Sequence, residues 1–207
     1  MTEKNIPELI KSLSQSLPGQ QAQFQMAPSF RHNFPDKSNP TKAAVLLLLY
    51  PNPTELNLVF MKRTEYPGVH SGQISFPGGK CETYDTNMIS TALRETQEEI
   101  GVNQLLVSIL GQLTPLYIPA SEFEVHPVVG FTHEKPKFNL DTNEVQYVIE
   151  VNVDFLLNPA NRAVKPYASD KYQGSIPYFR IEGNEIWGAT AMILNELLEI
   201  IRSIAAI

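Results

Sequence analysis

Eight consecutive apolar residues, AAVLLLLY from Ala43 to Tyr50, most narrowly constrain what this chain can fold into. The run is far shorter than the roughly 18 residues of a membrane helix. It stops at Pro51-Asn52-Pro53, and a second apolar segment, LNLVFMKR, resumes over 56 to 63. A short apolar run bounded by turn residues reads as a buried strand, so the pair predicts a buried hairpin. That hairpin needs a core around it, and the composition supplies one: 43% of residues are hydrophobic and 18% charged, unlike a disordered chain. At 207 residues the expectation is one domain with extensions, or two small ones.

On either side of the hairpin the periodicity is helical. Ile6, Leu9, Ile10, Leu13 and Leu17 predict an amphipathic helix over 5–17, stopped by Pro18-Gly19. A polar stretch with Pro28, Pro35 and Pro40 then reads as an extended connector over the surface of the main domain. Residues 64–85 carry Pro67, Gly68, Gly72, Pro77, Gly78 and Gly79, and so long a loop inside a compact domain is usually functional. A helix follows over 86–100 with Gly101 as its left-handed cap. Strands are expected at 105–113, 125–132 and 145–153, and a helix at 189–204. The economical reading is an N-terminal helix and connector, residues 1–40, packing on an α/β domain of residues 41–207.

Sixteen Lys and Arg against 22 Asp and Glu give a net charge of −6. With no basic block, the footprint of a nucleic-acid binder is missing, so no nucleic-acid partner is expected. Cys81 is the single cysteine, which excludes an intrachain disulfide and suggests no oxidising compartment. The opening MTEKNIPELIKS lacks the features of a secretory signal, and no segment suggests a membrane helix, so the expected location is the cytoplasm.

The helix over 86–100 carries the chemistry. At 100° per residue, Ala92, Leu93, Thr96 and Ile100 fall within about 60° of Ile89 and predict a buried stripe. Glu95, Glu98 and Glu99 lie at about 240°, 180° and 280°, which predicts one shared acidic patch on the other side. All three stand in the last two turns, where the helix dipole disfavours anions by ~0.3–1 kcal/mol each. Glu95 and Glu99 are moreover a like-charge i, i+4 pair, unfavourable by ~0.2–0.5 kcal/mol. A divalent cation removes both penalties, and an all-oxygen donor set suits Mg²⁺ or Mn²⁺ rather than zinc. Arg94, off to one side of the acids, is expected to orient one of them. Pro77-Gly78-Gly79 allows a backbone group to approach a metal or phosphate closely.

These residues resemble a known family. GGKCETYDTNMISTALRETQEEIGV, residues 78–102, resembles the Nudix box, G-x5-E-x7-R-E-U-x-E-E-x-G-U, with Gly79, Arg94, Glu95, Glu98, Glu99, Gly101 and Val102 matching. The interval from Gly79 to Arg94 is one residue longer than the pattern, Asp85 stands where its first glutamate would be, and Thr96 occupies a bulky aliphatic position. Residues 59–79, VFMKRTEYPGVHSGQISFPGG, resemble the upstream signature of the branch that hydrolyses coenzyme A: Arg63, Gly72 and Phe76-Pro77-Gly78-Gly79 are in register. Gly68 replaces that signature's second arginine, leaving Lys62, Lys80 or Arg162 to meet a phosphate.

The resemblance implies an α/β/α sandwich around a central mixed β-sheet, and hydrolysis of a pyrophosphate bond with Mg²⁺ or Mn²⁺. In the coenzyme A branch the substrate is coenzyme A or acyl-CoA, and the products are (acyl-)4′-phosphopantetheine and adenosine 3′,5′-bisphosphate. It implies metal ligation by Glu95, Glu98, Glu99 and the Gly79 carbonyl, with Arg94 orienting. Arg63, Gly78, Gly79 and Lys80 are expected at the substrate, and the general base is Glu95 first and Glu144 second. Two rival readings stand beside this: a Nudix hydrolase for ADP-ribose, dinucleotides or nucleoside triphosphates, and a non-catalytic nucleotide sensor of the same fold. His70 and Cys81 are read as local residues, Tyr117 and Trp187 as possible stacking partners for adenine with Trp187 more often core. The C-terminal helix, with Ile193, Leu194, Leu197, Leu198, Ile201 and Ile204, is apolar enough for core plus a homodimer contact.

Overall fold

Strand β1 (Thr41–Asn52) carries the apolar run, and its side chains divide between two hydrophobic cores. In the computed structural model, which describes residues 1–31, 39–53, 55–65, 71–169, 172–181 and 183–205, Leu47 and Leu49 point to one core. Leu46, Leu48 and Tyr50 point to the other. A strand covered on both faces has no solvent side to alternate toward, which is why the sequence runs apolar without interruption. Strand β2 (Glu55–Arg63) completes the expected hairpin, antiparallel with Leu49 opposite Leu58.

Among the described residues eight strands form the main sheet. Its spine runs β3 (Ile74–Ser75), β2, β1, β7 (Phe123–Phe131), β5 (Ser108–Gln112), with β4 (Gly78–Lys80) paired to β1, β6 (Leu116–Ile118) to β7 and β8 (Val145–Asn152) to β2. β1 and β7 are parallel and the other pairs antiparallel, so the sheet is mixed as expected. Helix α3 (Met88–Ile100) covers one face through Ala92 and Ile100. The other face packs against α1 (Ile6–Leu13) and α5 (Gly188–Ala205), with Leu9, Leu194 and Leu198 fully buried. The apolar residues Ile193, Leu194, Leu197, Leu198 and Ile201 of α5 are all taken up by the chain's own core. No helix among the described residues is long and apolar enough to cross a membrane.

Several sequence expectations need correction. The first helix ends at Leu13, and Pro18 precedes a new helix, α2 (Gly19–Gln23), rather than a surface connector. Ala22, Gln23, Met26 and Ala27 are buried, because this stretch docks on α5 through a polar clasp. Gln23 Nε2 donates to Glu196 at 2.8 Å and Asn195 Nδ2 to the Ala22 carbonyl at 2.7 Å. Residues 104–106 form a 3₁₀ turn capped by Asn103 rather than the start of a strand, leaving Leu105 and Leu106 exposed. A second sheet of β9 (Arg162–Ala168), β10 (Gln173–Ile181) and β11 (Asn184–Trp187) was not expected; Pro166 and Pro177 break its strand pattern. Between β8 and β9 lies the short helix α4 (Val153–Leu157). Pro35, Gly68 and His70 fall outside the described residues.

Candidate active site

The local sequence holds α3 firmly at both ends. Asn87 accepts from the Ser90 backbone at 2.9 Å while the Ser90 hydroxyl takes the Asn87 N–H, a reciprocal cap. Gly101 closes the helix at φ +73°, where a Cβ would meet Asn139 backbone atoms at under 3 Å. Glu95, Glu98 and Glu99 therefore stand on the last two turns of a helix fixed at both ends.

Arg94 gathers two of those acids rather than orienting one. Its Nη1 donates to Glu95 at 2.7 Å and to Glu98 at 2.8 Å. Its other face is taken by Asp85, with Nε to Oδ1 at 3.0 Å and Nη2 to Oδ2 at 2.9 Å, and Nη2 also donates to the Lys80 carbonyl. Asp85 accepts further from the Glu82 N–H and the Thr91 hydroxyl, and the Arg94 guanidinium holds its carboxyl well below the usual range. Sequence reading registered Asp85 only as a departure from the box; the geometry makes it the residue that positions Arg94.

Glu99 is separate from this group. At about 280° it sits on the border of the buried stripe, and there β4 closes over it, leaving it 2% exposed. The expected single patch of three acids is thus two acids on Arg94 and one buried under Gly78. The Gly78 N–H donates to Glu99 Oε2 at 2.7 Å and Arg63 Nη1 to Oε1 at 3.2 Å. Burial outweighs both donors and pushes the Glu99 carboxyl up to about 8. Burial also raises Glu95, against the pull of Arg94. Glu144, half-exposed in the loop before β8, lies 3.9 Å from Arg63 Nη2 and adds its negative field to both.

At Gly79 a Cβ would stand 2.5 Å from Glu95 Oε2, so a side chain there would push the Glu95 carboxylate from its place. At Gly78, φ is +149° and a Cβ would meet the Ala44 carbonyl at 2.3 Å. The glycines let the β4 backbone lie directly on the carboxylates. Among the described residues no three Asp, Glu, His or Cys side chains converge closely enough to hold a metal ion as they stand. The donor set still fits a hard divalent ion chemically: all are oxygens, and two are raised by a desolvation that a cation relieves.

A cavity of about 820 Å³ is lined by Arg63, Gly78, Gly79 and Lys80, four of the residues expected at a substrate, whereas Glu95, Glu98, Glu99 and Glu144 are not in its lining. Arg162 is not in its lining; its Nη2 donates to Asn195 at 2.6 Å and its guanidinium lies over Phe179. Trp187, read more as core, is only partly buried and lines the cavity, whereas Tyr117 does not. Cys81 is a partly buried free thiol. Sequence reading missed Phe30, Tyr167 and Tyr172, which also line the cavity, because a lone aromatic in a polar stretch carries no periodic signal.

Comparison with known proteins identifies the family and the fold. The NUDIX domain model matches residues 40–167, more than half of the 207. The Nudix hydrolase NudL of Yersinia enterocolitica is 32% identical over 204 residues, covering 96% of this chain and 98% of that one. Nudix hydrolase 15, mitochondrial, of Arabidopsis thaliana is 36% identical over 169 residues, covering 77% of this chain and 58% of that longer protein. Among solved structures, a MutT/nudix family protein from Enterococcus faecalis superposes with a TM-score of 0.56 at 16% identity, over 84% of this chain and 66% of that one. A C. elegans Ap4A hydrolase does so with 0.53 at 16%, over 80% and 98%; both show the fold alone. A domain match over more than half of the chain and a relative 32% identical along nearly its whole length lead to one conclusion: this chain belongs to the Nudix hydrolase family.

Proposed function

We propose that the protein hydrolyses the pyrophosphate bond of coenzyme A or acyl-CoA, using Mg²⁺ or Mn²⁺, to give (acyl-)4′-phosphopantetheine and adenosine 3′,5′-bisphosphate. The observation that carries the hydrolytic reading is the seating of Gly78 and Gly79 directly on Glu99 and Glu95 at the wall of an 820 Å³ cavity. The coenzyme A assignment is supported by the signature over residues 59–79.

A divalent ion held by Glu95, Glu98, Glu99 and the Gly79 carbonyl would neutralise phosphate oxygens and lower the pKa of a water. The chain's own residues do the rest. Asp85 fixes the Arg94 guanidinium, which sets the direction of Glu95 and Glu98. Gly78 and Arg63 fix Glu99. Arg63 and Lys80, both in the cavity lining, supply positive charge to a pyrophosphate. Glu95, raised by burial yet partly open, is the first general base, and the more exposed Glu144 the second.

The test is metal-dependent release of phosphopantetheine from coenzyme A by the Glu99→Gln protein. Its rate should fall by about 10²-fold or more; a rate within a few-fold of the unchanged protein overturns the assignment. The same assay run with acyl-CoA, ADP-ribose and nucleoside triphosphates separates the coenzyme A reading from its rivals.

A further inference from the structure

The 820 Å³ cavity lies on the α5 side of the main sheet, and the carboxylate helix α3 covers the other side. Ala43 and Val125, in the cavity floor, belong to the core shared with α5, whereas Ala44 and Leu46 face α3. Arg63 joins the two sides, since it lines the cavity and its Nη1 donates to Glu99. From there the sheet register carries the floor away from the charged end. Lys80 of β4 lies opposite Ala43 of β1, Ala43 opposite Val125 of β7, and Phe123, two positions before Val125, opposite Ile118 of β6. From β4 to β6 is three strand spacings, about 14 Å. Along that path the lining is aliphatic, with Val45, Ile118 and Pro119 below and Ala189 and Ile193 of α5 above.

Three further observations say what such a wall accepts. Phe30 is stacked by both Tyr167 and Tyr172, with ring centroids 5.2 and 5.3 Å away, so these rings pack on one another as a wall. Of the cations in the lining, Arg63 and Lys80 stand at the glycine end, while Arg31 donates to the Tyr117 carbonyl and lies over Phe24. One phosphate group is therefore met at the glycine end, and a second phosphate deeper in the cavity would face aliphatic carbon. Ser75 and Ser121, also in the lining, hold buried hydroxyls with no hydrogen-bond partner among the described residues. Buried polar groups are nearly always paired, and a hydroxyl can either donate to a carbonyl or accept from an amide. A pantetheine arm has this make-up: methylenes and geminal methyls interrupted by amides, with a phosphate at one end. Adenosine 3′,5′-bisphosphate, carrying a phosphate on each side of its ribose, does not.

We propose that this cavity takes the pantetheine arm of the substrate, with its phosphate at Arg63 and Lys80 and its chain running across β1 toward β6, and leaves the nucleotide half outside. The identity of the arm rests on the coenzyme A reading.

The test is calorimetric titration of the full chain with 4′-phosphopantetheine, inorganic phosphate and adenosine 3′,5′-bisphosphate. Phosphopantetheine should bind at least about ten-fold more tightly than inorganic phosphate, because the chain buries apolar surface. Ala189→Phe, which places a ring in the space above the floor, should weaken phosphopantetheine by about ten-fold or more and leave adenosine 3′,5′-bisphosphate within about two-fold. A variant that weakens adenosine 3′,5′-bisphosphate and spares phosphopantetheine, or spares both, overturns the proposal. Should Ala189→Phe fail to fold, Ala120→Phe, in the exposed turn that lines the same cavity, carries the test with the same expectations. The two readings fail separately. Absence of coenzyme A turnover by the unchanged protein, alongside binding of phosphopantetheine that these variants weaken, rejects the hydrolysis and keeps the site for the arm. Turnover of coenzyme A alongside phosphopantetheine binding that the variants leave unchanged rejects the site and keeps the hydrolysis.

Discussion

Asp85 shows how much at this site depends on a residue that touches neither the cavity nor the box acids. Two hydrogen bonds to Arg94, from Nε and Nη2, fix the plane of the guanidinium that in turn fixes Glu95 and Glu98. Asp85→Asn exchanges a charged bidentate acceptor for one acceptor and one donor facing an arginine. We expect kcat to fall by about 10–100-fold and the Mg²⁺ concentration for half-maximal rate to rise, while the far-UV circular dichroism stays unchanged. A rate unaffected by Asp85→Asn would mean that Arg94 is positioned by the carboxylates alone. The acids and glycines were legible in the sequence because their spacing is dictated by one helix and one tight loop. Their partners were not. Nothing in the order of residues says that Glu99 lies beneath the Gly78 N–H while Glu98, one position earlier, is open to solvent.

The clasp between α2 and α5 is the element-scale counterpart. Glu196 is fully buried and accepts from the Gly19 N–H, Gln23 Nε2, the Thr114 N–H and the Thr114 hydroxyl, at 3.2, 2.8, 3.3 and 2.7 Å. It joins the arm, the turn before β6 and α5 at one point. Glu196→Ala strands these donors, so unfolding by urea should show a loss of about 2–4 kcal/mol. A loss under about 1 kcal/mol would mean that water replaces the carboxylate. The amphipathic helices were readable because their apolar faces repeat with the helical period. The clasp was not, because Gln23 and Glu196 have the composition of surface residues and are buried only by meeting each other across 173 positions. The second sheet hid for a related reason: Pro166 and Pro177 sit within paired strands.

At the scale of the whole molecule, the buried Glu99 is expected to link stability to pH and, under the proposed metal ligation, to divalent ions. Its carboxyl, at about 8 against an ordinary 4.5, holds its proton more tightly folded than unfolded. That contribution is complete below pH 4.5 and is lost as the pH rises through 8. With EDTA present, the thermal midpoint should drop between about pH 5 and about pH 8, and drop less in Glu99→Gln, whose amide does not ionise. Mg²⁺ should recover the loss and give more at the upper pH than at the lower, by binding the ionised form. Parallel profiles for the two proteins would separate Glu99 from the effect. The architecture also governs the order in which the molecule can be made. β1 pairs in parallel with β7, Thr41 opposite Phe123, and the glycine loop and α3 lie wholly inside the intervening length of about 80 residues. The side of β1 that β7 occupies stays open until that long loop closes. A nascent chain released from the ribosome before Phe131 therefore carries every box residue and still lacks the strand that completes their support.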